Sequence, residues 1–221
     1  MAFVHRLIKN DEHALLSEGF QVLEKLIQNY QESDRLRRYF HLYKQKQASD
    51  VLSKRLCQRF IQFSKRVQHE LFSANLLDAS DEMTHFGYMV SLPGAPSQAW
   101  HIDYDGDQVT IYIPITHETE HNATQYKTEH LGYDLAFQVL TKPDEPHPLI
   151  YTPRHSMHRG VGNSEDFRRV VFYFIYSHPD WDSDEPLFEM RHRTAINVDK
   201  DIEDRYCPEV EGGATAGRST Q

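Results

Sequence analysis

Two kinds of hydrophobic spacing divide this chain. Leu16, Phe20, Leu23, Ile27 and Tyr30 step by four and three, the stripe of an amphipathic helix that Asn10 or Asp11 would cap. A shorter helical piece is expected after Ser33, on Leu36, Phe40 and Tyr43. A third helix, starting near Ser49 or Asp50, carries Leu52, Leu56, Phe60, Phe63, Val67 and Leu71 on one face over about five turns. Residues 1–82 therefore read as a helical part whose apolar stripes pack on one face of a sheet.

The period changes at Met83. Phe86, Tyr88, Val90 and Leu92 alternate at period two until Pro93-Gly94 breaks the run. After Asp105-Gly106-Asp107, Val109, Ile111, Ile113 and Ile115 alternate with Thr110, Tyr112, Pro114 and Thr116. Further strands are expected at Leu135 to Leu140, Leu149 to Tyr151 and Arg169 to Tyr176, the last nearly all apolar and so central. Short strands after a helical block predict a mainly β fold with α, in which residues 83–178 form an antiparallel barrel or jelly-roll sandwich. Residues 179–221 read as a polar, acidic extension with a mobile end, which Trp181, Leu187 and Phe188 could dock on the barrel.

Composition narrows the function. At 221 residues the chain suits one folded domain, and its net charge of -9 argues against gripping a phosphate backbone, so no nucleic-acid partner is expected. Cys57 and Cys207 lack CxxC spacing and read as reduced thiols. Neither a signal peptide nor a run long enough to span a bilayer is visible, so a cytoplasmic protein without a membrane partner is expected.

The candidate chemistry centres on Gln98-Ala99-Trp100-His101-Ile102-Asp103. In an extended segment His101 and Asp103 share a face, and a third ligand at His158 would complete two histidines and a carboxylate, the set of non-haem Fe(II) oxygenases. With 14 histidines, about one His-x-Asp triplet is expected by chance, so the triplet alone says little. Its agreement with a preceding strand and Pro-Gly turn, a later His158 near a second strand, and Arg168-Arg169 beyond it says more. His155 is a rival for the distal position, while His117, His121, His130 and His147 read as loop or surface residues.

The run Pro93-Gly94-Ala95-Pro96-Ser97-Gln98-Ala99-Trp100-His101-Ile102-Asp103 resembles the phytanoyl-CoA dioxygenase-like branch of the Fe(II)/2-oxoglutarate-dependent dioxygenases. The family's Asn-Gly-Ala-Thr segment is echoed by His121-Asn122-Ala123-Thr124, and its distal block by His158, Gly162, Asn163 and Arg168 or Arg169. The family's Pro-Gly-Ser-His is replaced by Tyr126-Lys127-Thr128-Glu129-His130, which reads as a remodelled loop on the substrate side. The resemblance covers residues 86–177 and implies a double-stranded β-helix with Fe(II) on His101, Asp103 and His158. It also implies 2-oxoglutarate anchored by Arg169, or by Arg168, with Gln98 and Thr124 as further hydrogen-bonding candidates. The implied reaction consumes O2, releases succinate and CO2, and hydroxylates a C–H bond of a small molecule. A protein hydroxylase and a catalytically silent metal- or ligand-binding barrel are the alternatives. Asp103 speaks against a halogenase, which would need a small residue there.

Overall fold

A computed structural model of the chain describes residues 2–27, 36–103, 106–130, 133–143, 145–183 and 187. Its helices are α1 (Asn10–Ile27) and α2 (Lys54–Ser73). Its strands are β1 (Phe3–Leu7), β2 (Arg37–Lys44), β3 (Gln47–Ala48), β4 (Glu82–Ser91), β5 (Val109–Pro114), β6 (Thr124–His130), β7 (Tyr133–Gln138), β8 (Pro148–Thr152), β9 (His158–Gly160) and β10 (Arg169–Ser177). All the strand pairs are antiparallel, in a seven-stranded sheet of order β1-β8-β5-β10-β4-β2-β3 and a three-stranded sheet of order β7-β6-β9.

Period two sorts the large sheet into two faces. Phe86, Tyr88, Phe172, Phe174 and Tyr176 point outward into a core shared with Leu16 and Leu23 of α1 and Phe60, Phe63 and Val67 of α2. Each such side chain contributes roughly 1.5–3 kcal/mol by leaving water. Buried hydroxyls are satisfied by helix carbonyls, Tyr88 donating to Leu16 (2.6 Å) and Tyr176 to Ser64 (2.8 Å). Met89, Tyr112, Ile150, Val171, Tyr173 and Ile175 point the other way and meet Tyr126 of the small sheet. The space between the sheets therefore holds what the inner face displays.

Four expectations are corrected. Leu36 to Tyr43 is not helical: Arg37–Lys44 is a strand beside β4. Phe40, Leu42 and Tyr43 all reach the helix-covered core, because a register shift between His41 and Tyr43 breaks the alternation and lets residues three apart share a face. The edge strand β1 also lies inside the stretch read as helical; it pairs with β8. α2 starts at Lys54 rather than near Ser49, with Ser53 as its cap accepting from the Leu56 amide (3.2 Å). Tyr126 to His130, read as a loop, belongs to β6, in which Tyr126 joins the buried cluster between the sheets while Gln125 and Lys127 are only partly buried.

Tyr30, Tyr104, Asp105, Phe188, Cys207 and the end of the acidic extension lie outside the described residues. Cys57 is buried, and Trp181 packs edge-on against His85 at 5.3 Å. No helix among the described residues is long and apolar enough to cross a membrane.

Candidate metal centre

His101 lies in the long connection between β4 and β5, not in a strand of its own. It is held by two backbone hydrogen bonds to His158 at the start of β9, His101 N–H to His158 O (3.0 Å) and His158 N–H to His101 O (2.9 Å). Asp103 is fixed through its carbonyl, which accepts from the Gly106 amide (3.0 Å) and the Gln108 side chain (2.8 Å). One ligand atom from each of His101, Asp103 and His158 then lies within 4.8 Å of the others, so the three could hold a metal ion.

The orientation of the rings supports that use. His101 Nδ1 lies 2.8 Å from Ala99 O and His158 Nδ1 3.0 Å from Ser156 O. Each imidazole can thus donate from Nδ1 to a carbonyl two residues earlier, which leaves Nε2 as the ligating atom. Both Nε2 atoms point at the carboxylate, His101 at 3.3 Å and His158 at 3.2 Å, and Tyr112 donates to Asp103 Oδ2 at 3.0 Å. Burial pushes the Asp103 carboxyl up, but the hydrogen bonds from His101, His158 and Tyr112 outweigh it and hold the group below the usual carboxylate range. The hydrogen bond to Asp103 raises the pKa of His101 against the opposing effect of burial. His155 sits instead in the turn before β9 at φ 56°, outside this cluster.

The adjacent arginines separate by strand parity. Arg169 shares the inner face with Val171 and Tyr173 and is 2% exposed. Arg168 faces α1, pairing with Glu24 and lying over Phe20. Arg169 donates through Nε to Glu118 (2.6 Å) and through Nη2 to Thr124 Oγ1 (2.7 Å), while its buried Nη1 has no partner. Burial pushes the Glu118 carboxyl up, opposed by Arg169. Gln98 accepts from the Gly160 amide through Oε1 (2.9 Å), and Thr124 serves Arg169.

A cavity of about 250 Å³ opens beside His101 and Asp103, lined also by Tyr39, His41, Gln98, Tyr112 and Tyr173. Tyr173 and His41 are linked at 2.7 Å across Gly87, the residue between them in the row His41-Gly87-Tyr173. A Cβ at Gly87 would stand 2.6 Å from the Tyr173 hydroxyl, so the bare backbone there makes the contact possible. Burial, with His85 and Lys44 nearby, lowers the pKa of His41 to about 3, which leaves a neutral ring on this wall. Tyr39, His41, Glu118 and Tyr173 went unnoticed in the sequence. Only reading 37–44 as a strand would have put Tyr39 and His41 on the inner face.

No protein-family model and no curated protein sequence matches the chain. Solved structures do. AviO1 from Streptomyces viridochromogenes Tue57 superposes with a TM-score of 0.56 at 12% identity, over 81% of this chain and 90% of that one. The non-haem α-ketoglutarate-dependent epimerase SnoN from nogalamycin biosynthesis gives 0.55 at 14% identity, over 78% and 75%. The nickel complex of the non-haem monooxygenase ThoJ gives 0.52 at 16% identity, over 92% and 89%. The chain shares its fold with non-haem α-ketoglutarate-dependent enzymes. SnoN has been solved with Fe3+, α-ketoglutarate and nogalamycin RO.

The residues present fit such a group. Two imidazoles and one carboxylate suit a divalent iron-type ion and leave its remaining positions open. The unpartnered Nη1 of Arg169 suits an incoming carboxylate oxygen, since a buried donor left unmade is costly.

Proposed function

We propose that the chain is an Fe(II)/2-oxoglutarate-dependent oxygenase on a double-stranded β-helix, of the phytanoyl-CoA dioxygenase-like branch, acting on a small molecule. The observation that carries the proposal is the triad itself: both imidazoles have Nδ1 tied to a carbonyl and Nε2 aimed at one carboxylate. His101, Asp103 and His158 would hold the iron, and Arg169 would anchor the cosubstrate, positioned by Glu118 and Thr124. Iron with 2-oxoglutarate and O2 supplies the oxidising power for hydroxylating a C–H bond, with succinate and CO2 released.

The chain's own contribution is orientation and exclusion of water. Tyr112 donates to the ligand Asp103 and so restricts its rotation. The partly enclosed cavity, with phenols and a neutral imidazole on its walls, suits a small molecule better than a polypeptide segment. Anaerobic titration with Fe(II) and then 2-oxoglutarate should produce a weak visible charge-transfer band. Asp103→Ala and His158→Ala should lose both the band and succinate formation. Full succinate production by either variant would sink the metal assignment.

A further inference from the structure

Arg37 belongs to a row that the sequence does not reveal. Arg37 and Arg169 both pair in register with Ser91, one from each side of β4, so Arg37, Ser91 and Arg169 form one line across β2, β4 and β10. All three lie on the inner face, since Arg37 shares parity with Tyr39 and His41, both of which line the cavity. Two strand spacings set the arginine backbones about 10 Å apart.

The two guanidiniums differ in charge balance. Arg169 is paired with Glu118, which is likewise 2% exposed. Arg37 is half-buried and has only neutral partners: Nε donates to Ser91 Oγ (2.9 Å) and Nη2 to Val161 O (2.9 Å). Among the described residues no carboxylate lies within ion-pair distance of it. The three charged groups therefore carry one net positive charge, which matches a single ligand carboxylate. A partly buried cation without a counter-ion is costly to keep unless a ligand supplies one.

The surroundings place this charge next to the metal site. Gly160 lies two residues after His158 on the same face of β9, and a Cβ there would meet Gln98 Oε1 at 2.6 Å and Arg37 Nη1 at 3.2 Å. Glycine at 160 leaves the room in which Gln98 and Arg37 converge. The phenol of Tyr39 is within electrostatic reach of Asp103, Arg37 and Arg169 together.

We infer that Arg37 and Arg169 form a two-arginine subsite for the distal carboxylate of a 2-oxo dicarboxylic acid, with Arg37 supplying the uncompensated charge. This rests on the cosubstrate reading given above. The test measures binding to Zn(II)-loaded full-length protein by calorimetry, with 2-oxoglutarate and with 2-oxopentanoate, which lacks the distal carboxylate. The wild type should prefer 2-oxoglutarate, and Arg37→Gln should weaken it roughly ten- to a hundredfold, as expected for a lost charge-assisted hydrogen bond. Its Zn(II) affinity and its affinity for 2-oxopentanoate should stay unchanged. Arg37→Lys, the fallback if the glutamine variant does not fold, should lose part of the preference, because a point charge replaces the planar fork. If the wild type prefers 2-oxoglutarate and the Arg37 variants bind it within about twofold of wild type, the Arg37 assignment is overturned and the cosubstrate reading stands. A wild type that binds both acids equally, or neither, overturns both.

Discussion

Removing Glu118 is the sharpest test of the charge arrangement at the end of the cavity. In Glu118→Ala the Arg169 guanidinium stays buried and keeps only the Nη2 bond to Thr124, while Nε and Nη1 are both left without acceptors. Breaking a buried pair from one side costs about 3–5 kcal/mol, far more than an exposed pair would. Part of that cost is the lost attraction between Glu118 and Arg37, because the Arg37–Arg169 repulsion is the same with and without Glu118. At roughly 10 Å and an effective dielectric near 20, opposite unit charges attract by about 1–2 kcal/mol. Arg37→Gln in the Glu118→Ala background should therefore recover about that much relative to the sum of the two single changes. Urea unfolding of the wild type, both single variants and the double variant gives the coupling directly. A Glu118→Ala protein within about 1 kcal/mol of wild type, or a coupling of opposite sign, would refute the reasoning.

Gly87→Ala should destabilise by at least about 1–3 kcal/mol through overpacking, because its Cβ would stand 2.0 Å from the Phe40 carbonyl, which is backbone and cannot swing away. It should also break the Tyr173–His41 bond, and a thermal midpoint equal to wild type would contradict this. Burial lowers the pKa of His41 to about 3 and that of His85 to about 4, from 6.5. The unfolded chain takes up these protons first, so stability is full above about pH 6.5 and falls as the pH drops towards 4, by roughly 3 kcal/mol for His85 alone. Urea midpoints measured from pH 7.5 to 4.5 should fall less steeply in His85→Gln, and equal slopes would exclude this origin. Zn(II) in hundredfold excess over its Kd should stabilise the wild type by about 2.7 kcal/mol. His158→Ala should lose most of that stabilisation, and an undiminished shift in its unfolding midpoint would remove His158 from the ligand set.

Local pattern carried the elements whose burial is one-sided or complete. α2 was legible because Leu56, Phe60, Phe63, Val67 and Leu71 form one stripe against the sheet. β5 and β10 were legible as buried runs of apolar and β-branched residues. The candidate ligands were legible because chemistry restricts which residue types can hold a metal. His101, Asp103 and His158 could be named from type, spacing and family resemblance, and the fold brings their ligand atoms within 4.8 Å. Strand parity turns Arg169 to the inner face, where it meets Glu118 and Thr124, and Arg168 towards Glu24 of α1. Arg37, Glu118 and the Tyr173–His41 pair had no local signal. Arg37 lies in a strand whose apolar residues mimic a helical stripe, because a register shift between His41 and Tyr43 puts Phe40 and Tyr43, three apart, on the same helix-covered face. Its place in line with Ser91 and Arg169 is set by antiparallel register, a property of strand partners far apart in sequence. The sequence by itself determined which side chains could do the chemistry and where most of the regular elements lie. Only the tertiary structure decided which charges share one space, because register and packing, not spacing along the chain, bring them there.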